Sequence, residues 1–187
     1  MSPRILALTL ALALFPAAAT GVEAQTSHRF SLDATAGKGF GRATGSFEGG
    51  RSGLAGDLLV AARLHALGGG SLVAGMSASA QGSGASTMIC RAELGAECAP
   101  SFPSFFLFTP SLGWESRDAG LRILAGPALV QTDFDGERAV GIQARIDMAT
   151  AMTDRFAIVA SIRPAIIPNY LGERVGLLGF GVGFRLR

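Results

Sequence analysis

Residues 140–148 of this chain read VGIQARIDM, and this stretch decides the fold. Every second residue is apolar, and Gln143, Arg145 and Asp147 stand between the apolar positions. Successive side chains of a β-strand point to opposite faces of a sheet, whereas an α-helix repeats every 3.6 residues. The two-residue period therefore predicts a strand with one apolar face and one polar face.

The same alternation recurs on both sides of this stretch. Helix competes best in the alanine-rich residues 54–67, while elsewhere the strict period and the content of Val, Ile, Gly and Ser favour strand. A length of about ten residues suits a tilted strand that crosses a bilayer. We therefore predict an all-β fold, a single up-and-down antiparallel transmembrane β-barrel of about eight strands. The predicted strands are 29–36, 54–64, 71–81, 106–115, 121–129, 140–148, 156–163 and 175–186.

The connections between these strands alternate in length. In outer-membrane barrels the periplasmic turns are short and the extracellular loops are longer. The pattern predicts that both chain termini lie on the periplasmic side. The first and third connections (37–53 and 82–103) are long, the second, fourth and sixth (66–70, 116–120 and 150–155) are short, and the fifth and seventh (132–138 and 168–174) are intermediate.

Three prolines interrupt the predicted strands. Pro110, Pro127 and Pro164 each lack the backbone N–H that a β-ladder uses. Proline is uncommon inside a sheet except at an edge or a bulge. We expect a bulge or a shortened strand at each of these positions.

The N-terminal segment has the organisation of a secretory leader. An almost unbroken apolar run at 5–15 follows a positively charged start, and Val22-Glu23-Ala24 fits the small-x-small cleavage pattern, with 17–19 as a second possible site. A retained membrane anchor is the alternative, but the apolar run is shorter than the roughly 20 residues of a spanning helix. We predict a signal peptide at 1–24, a barrel domain at 25–187, and export to the outer membrane.

Composition excludes some classes of protein. The formal net charge is +2 with arginines spread along the chain, which argues against a nucleic-acid binder, because such proteins carry a clustered basic face. Hydrophobic residues make up 49% of the chain and charged residues only 16%, and the mean hydropathy is +0.39. No run of 18 apolar residues follows the leader. The apolar content therefore points to lipid-facing strands and not to a spanning helix.

The polar rows of the predicted strands carry charges, whereas the apolar rows of those segments carry none. In a membrane barrel the apolar rows face lipid and the polar rows face the lumen. An eight-stranded barrel is just wide enough for side chains to fill it, so inward charges should meet and neutralise one another. A salt-bridged structural plug is favoured over a gate or a proton path. The predicted lumen charge network is Asp33, Asp57, Arg63, Arg122, Arg145, Asp147 and Arg163.

Two cysteines, Cys90 and Cys98, lie in the longest predicted connection. In an oxidising compartment we expect them to form a disulfide, which would stabilise this loop by ~2–3 kcal/mol. A CxxC redox pair lacks the required spacing, and the loop contains no histidine to complete a metal site.

Recognisable enzyme motifs are absent from the sequence. There is no G-x-S-x-G elbow, no H-E-x-x-H and no phosphate-binding lysine loop. Only His28 and His65 have side chains suited to act as bases near neutral pH, and both fall at predicted strand ends where a solvated role is expected. We therefore predict no catalytic, cofactor-binding or metal-ligating residue, no cofactor, and no enzymatic activity.

The closing stretch 179–187, GFGVGFRLR, resembles the amphipathic last strand that the barrel-assembly machinery recognises. With the leader, the alternation and the loop asymmetry, the chain over 27–187 resembles the small eight-stranded bacterial outer-membrane β-barrel family. This resemblance implies a monomeric, non-enzymatic barrel inserted by that machinery. It also implies contact with outer-membrane lipids, including lipopolysaccharide, and a structural, envelope-stabilising or loop-mediated role without an open pore.

Two other interpretations remain open at this point. In a soluble periplasmic barrel of lipocalin type, the same apolar rows would face inward around an apolar ligand. In an outer-membrane lipid-modifying enzyme, as some members of the resembled family are, a His/Ser pair would be required, and the sequence offers no convincing match.

Overall fold

The described part of the chain folds into ten β-strands. In this computed structural model the described residues are 29–43, 51–82, 88–91, 97–100, 104–132, 138–170 and 172–187. The predicted signal peptide at 1–24 and His28 lie outside them. The strands are β1 Phe30–Ala43, β2 Arg51–Leu67, β3 Gly70–Gln81, β4 Met88–Arg91, β5 Glu97–Pro100, β6 Phe105–Ser116, β7 Leu121–Thr132, β8 Arg138–Ala151, β9 Phe156–Tyr170 and β10 Glu173–Leu186.

Eight of these strands close into one antiparallel barrel, in the order β1-β10-β9-β8-β7-β6-β3-β2. The first and last strands pair directly, and Leu32 of β1 stands opposite Leu186 on one side and Val60 of β2 on the other. A closed barrel has no free strand edge, so its backbone donors and acceptors are satisfied without water. The predicted all-β, eight-stranded up-and-down barrel is confirmed. Among the described residues no helix is long and apolar enough to cross a membrane.

Several strands extend beyond their predicted ends. The first connection, expected over 37–53, is limited to 44–50 because β1 continues to Ala43 and β2 begins at Arg51. Glycines such as those after Ala36 are typical of turns, but here they allow close strand packing. A Cβ at Gly37 would lie 2.2 Å from the backbone oxygen of Phe180 on β10. Only glycine permits this approach.

The prolines do not shorten their strands. Between β6 and β7, Phe108 pairs with Leu129 and the next pair is Leu112 with Ala125. The unpaired stretch between these two pairs lies at the level of Pro110 and Pro127. The β8–β9 register has a similar gap next to Pro164. The strands continue through the prolines because their other ladder partners hold them, and the cost is a local loss of backbone pairing.

The two ends of the barrel differ. At one end, which we call the turn end, lie the strand ends nearest the two chain termini and the connections 68–69, 117–120 and 152–155. At the other end, the loop end, lie the connections 44–50, 82–104, 133–137 and 171–172. The asymmetry follows the predicted one, except that the last connection is only two residues long.

The longest connection contains a second, separate sheet. Strands β4 and β5 form a two-stranded antiparallel hairpin within it. Their register places Cys90 directly opposite Cys98. The sequence pattern predicted only a loop here, because four-residue strands are too short to show a two-residue period.

Candidate functional site

The barrel carries its charges inside and its apolar side chains outside. Asp33, Asp147 and Arg185 have no solvent-exposed surface, and Arg122 is 2% exposed. Burying charge in this way is costly unless each charge is paired. An apolar exterior around a charged interior is the arrangement of a barrel whose solvent is lipid. Large apolar side chains on the outer surface include Leu32, Leu58, Met76, Phe108, Ile123, Ile142, Ile158 and Val182.

One connected group of side chains fills the half of the lumen nearer the turn end. It contains all seven residues of the predicted network and two more, Glu115 and Arg185. We call this group the lumen charge cluster. It draws on seven of the eight barrel strands, and its members are Asp33, Asp57, Arg63, Glu115, Arg122, Arg145, Asp147, Arg163 and Arg185.

Asp33 is one centre of the cluster. Arg185 stands opposite it in the β1–β10 pair and donates from Nε to Oδ1 at 3.0 Å and from Nη2 to Oδ2 at 2.9 Å. Arg122 adds a bond from Nη1 to Oδ2 at 3.2 Å. This two-pronged contact between a guanidinium and a carboxylate is among the strong hydrogen-bond geometries in proteins. It joins the first and last strands of the barrel.

Glu115 is the second centre. Arg122 donates from Nη2 to its Oε1 at 2.6 Å, and Arg63 donates from Nε to its Oε2 at 2.5 Å. Arg185 Nη1 also reaches Oε1 at 3.3 Å. Arg63 is the rim member of the cluster, with 27% of its side chain exposed. Arg122 and Arg185 therefore bridge the two carboxylate centres.

The third part of the cluster lies toward the middle of the barrel. Arg145 donates from Nε to Asp147 Oδ1 at 2.7 Å, and its Nη1 donates to Asp57. Arg185 Nη2 connects this part to the rest through Asp147 Oδ2 at 3.2 Å. Arg163 approaches Asp57 with Nη1 at 3.5 Å from Oδ2 and also donates to Thr35. The ion pairs thus form one continuous network.

Arg163 is the least compensated member of the cluster. The cluster holds five arginines and four carboxylates, and the single carboxylate within ion-pair distance of Arg163 among the described residues, Asp57, is shared with Arg145. Its Nη2 is buried without a hydrogen-bond partner in the same part of the chain. The side chain lies against the glycines of β10, since a Cβ at Gly179 would be 3.2 Å from its Nε. These glycines make room for it.

Glu115 and Arg185 were present in the polar rows of the sequence but were not assigned to the predicted network. The period-two signal alone identifies both as inward-facing. Nothing in the sequence indicates that Arg185, two residues before the last position, is fully buried and contacts three carboxylates. That role depends on the pairing of β10 with β1, which is a contact between distant parts of the chain.

Above the charge cluster the lumen becomes progressively apolar toward the loop end. A polar layer comes first, in which Thr109 donates to Gln143 Oε1 at 2.8 Å and Gln143 Nε2 donates to Ser79 Oγ at 3.2 Å. An apolar layer follows, and there Phe105 packs edge-on against Tyr170 with ring centroids 5.5 Å apart. This layer consists of Ala43, Phe105, Leu107, Ala128, Val130, Ala165, Ile167, Tyr170, Val175 and Leu177.

Little space remains between these layers. The two cavities found beside the cluster and the polar layer measure about 10 Å³ each, enough for a single water molecule. The layers therefore act as a side-chain filling, as expected for a barrel of eight strands.

His65 is exposed near the turn end of β2, next to a register shift between Arg63 and His65. Within the described ranges, no group of three or more His, Cys, Asp and Glu side chains is placed to hold a metal ion. Each lumen carboxylate accepts at least one hydrogen bond from an arginine.

Solved structures provide the comparison. Over 87% of this chain and 99% of the other, the barrel superposes on Neisserial surface protein A (NspA) with a TM-score of 0.51 at 15% sequence identity. The chain has the fold of the small outer-membrane β-barrels. Ail, the attachment invasion locus protein of Yersinia pestis, matches this outer-membrane barrel fold over 85% of this chain and 100% of its own, with a TM-score of 0.44 and 14% identity. The structure of Ail in complex with the heparin analogue sucrose octasulfate has a TM-score of 0.46 and 12% sequence identity.

No protein-family model and no curated protein sequence matches the chain. The outer-membrane barrel fold nevertheless decides against the lipocalin-type interpretation. That interpretation requires the apolar rows to line the lumen, whereas Leu58, Ile142 and Val182 are more than half exposed on the outer surface.

Proposed function

We propose that this protein is an integral, non-enzymatic outer-membrane β-barrel with a sealed lumen, which stabilises the envelope and presents its loop-end connections for interaction. The observation that carries the proposal is the apolar outer surface around a charged interior in which every lumen carboxylate of the described residues is paired with an arginine. Such a surface is unfavourable in water and favourable in a bilayer, where charged side chains on the lipid face would cost ~2–4 kcal/mol at the midplane.

The charge cluster supports a structural role for the lumen. Its carboxylates accept hydrogen bonds from arginines, and an apolar layer lies between the cluster and the loop end. An ion entering the lumen would have to break these pairs and cross that layer. We propose that the cluster is a plug that fixes the barrel, and that the protein conducts no ions.

The hairpin β4–β5 supports an interaction role at the loop end. Opposing residues of an antiparallel pair have Cα atoms about 4.5–5.5 Å apart, within the range that a disulfide bridges. The register of Cys90 and Cys98 is thus compatible with the predicted disulfide. We propose that this bond stabilises the hairpin on the extracellular side.

The proposed biogenesis follows from the location. A cleaved signal peptide at 1–24 would deliver the chain to the periplasm, and the barrel-assembly machinery would insert it as a monomer among outer-membrane lipids. The closed ring of strands supports a monomer, because the barrel leaves no edge strand for a second copy to pair with.

The test is membrane fractionation of cells expressing the full chain, followed by gel migration in detergent with and without boiling. A closed barrel resists detergent until it is heated, so we expect outer-membrane partition and a heat-dependent change in migration. Purified protein in a planar bilayer should give no conductance steps. Recovery in the soluble periplasmic fraction without a heat-dependent shift would contradict the proposal.

A further inference from the structure

A groove interrupts the outer surface of the barrel near the loop end. Its volume is about 660 Å³, within the usual range of ligand-binding clefts. Strand β10 forms its floor at Gly176 and Leu178. Phe40 on β1 bounds it on one side, and Pro164 and Ile166 on β9 bound it on the other. Because these side chains belong to the lipid-facing rows, the groove opens toward the membrane and not toward the lumen.

Two cations lie on the same outward row as Phe40. The uncharged outward row predicted for the first strand ends at Ala36, and the longer β1 adds Lys38 and Arg42 to it, both exposed. Arg42 lines the groove at its loop end. Neither cation forms an ion pair with a carboxylate in the part of the chain that the structure describes.

Unpaired cations on a lipid-facing row are costly unless they reach the headgroup region. Arg42 lies one residue before the end of β1, at the level where the loop-end connections begin. Lys38 lies two outward positions deeper, and its flexible stem allows the ammonium group to extend toward the interface. A guanidinium at this level matches the geometry and charge of a phosphate group.

The glycine on the floor of the groove keeps it open. Gly176 stands opposite Arg42 in the β1–β10 register. The nearest atom to a Cβ built there is the backbone oxygen of Arg42, at 3.9 Å. Strand packing therefore does not require a glycine at this position, unlike Gly37, and a larger side chain would project into the groove.

We propose that this groove binds one acylated, phosphate-bearing lipid of the outer leaflet. An acyl chain would lie against Phe40, Ile166 and Leu178, and the lipid phosphate would accept hydrogen bonds from Arg42, with Lys38 as a second cation. The inference rests on the proposed outer-membrane location, with the loop end on the extracellular side. It assigns the lipid contact of this protein to one site on the barrel wall.

The experiment uses the purified full-length barrel in detergent micelles, with lipid A of lipopolysaccharide as the probe and native mass spectrometry as the readout. We expect one retained lipid A per barrel. Arg42→Gln should lower the retained fraction about tenfold, as expected for the loss of a charge-assisted hydrogen bond. Gly176→Leu should lower it by a similar factor because the leucine fills the groove.

Gly56→Leu is the matched control. Gly56 also faces outward, and a Cβ there would meet no atom within 4 Å, but it does not line the groove. This variant should retain lipid A like the wild type. All variants are first required to show heat-dependent gel migration, so that a failure of the barrel itself is distinguished from a failure of the site.

Several outcomes would overturn the proposal. These are absence of a lipid adduct on a correctly folded wild-type barrel, wild-type retention by Gly176→Leu, or equal loss in Gly56→Leu. Equal retention of a dephosphorylated lipid with the same acyl chains would refute the role of Arg42. Displacement of the lipid by inorganic phosphate alone would refute the contribution of the acyl groove.

Discussion

Replacing single arginines in the lumen charge cluster separates two effects on barrel stability, that of the position of an arginine and that of the net charge of the cluster. Arg185→Met and Arg163→Met remove the same charge and leave the cluster with four arginines and four carboxylates in both cases. Their surroundings differ, because Arg185 forms ion pairs with Asp33, Glu115 and Asp147, whereas the one carboxylate that pairs with Arg163 among the described residues is the shared Asp57. The two variants should therefore differ strongly in stability.

The magnitude follows from the contacts. Removing one partner from a buried ion pair typically costs ~3–5 kcal/mol, because the remaining charge is left buried without compensation. We expect Arg185→Met to lower the free energy of unfolding by about this amount, since Asp33 would lose its two-pronged partner. We expect Arg163→Met to change it by less than about 1 kcal/mol, because the loss of a weak pair is offset by removing a poorly compensated buried charge.

The assay is reversible urea unfolding in lipid micelles or vesicles, followed through the fluorescence of Trp114, the single tryptophan. Both variants should first show heat-dependent gel migration. Equal destabilisation by the two substitutions would show that net charge, and not placement, sets the stability of the lumen. An Arg185→Met variant as stable as the wild type would refute the role of Arg185 as the link between the carboxylate centres.

Three other predictions concern the strand packing, the hairpin and a turn. Gly37→Ala should destabilise the barrel by ~1–3 kcal/mol, as overpacking does, whereas Gly56→Ala in open space should be nearly neutral in the same urea assay. Cys90→Ser should abolish a disulfide detected by mass difference after thiol alkylation without reduction, and it should leave the barrel's urea midpoint unchanged. A hydrogen bond from Ser116 Oγ, with a second from the Gly120 backbone N–H, lowers the pKa of Asp118 below its usual value. The turn should therefore be stabilised at pH values above the ordinary aspartate pKa, and it should lose this contribution as the pH falls through the lower pKa of folded Asp118. Ser116→Ala should raise the pKa of Asp118 measured by carboxyl NMR titration, and an unchanged titration midpoint would contradict this.

The alternation of apolar and polar residues was sufficient to predict the barrel and the inward charges, because a two-residue period fixes which face each side chain takes. It could not fix where β1 ends. The glycines at Gly37 and Gly39 have the composition of a turn, and only the close approach of β10 and the side chain of Gln81 shows why they lie in a strand. That information is held by residues far away in the chain.

The pairing of Asp33 with Arg185 could not be predicted from the sequence for the same reason. Asp33 and Arg185 are separated by almost the whole barrel sequence and become neighbours only when the ring closes. The groove at Gly176 likewise depends on four strands brought together by the fold. Local periodicity gives the direction of a side chain, and the closure of the sheet gives its partner.

The pairing of Asp33 with Arg185 has a consequence for assembly. Before β10 reaches β1, the carboxylate of Asp33 lacks its principal partner, and an open sheet in the membrane would carry this charge together with two free edges. Ring closure satisfies the edge hydrogen bonds and the buried charge in the same step. A partly assembled barrel thus carries two free-energy costs where β1 and β10 are not yet paired, the unpaired edge hydrogen bonds and the uncompensated charge. This favours an all-or-none transition to the closed barrel over a population of partly paired sheets.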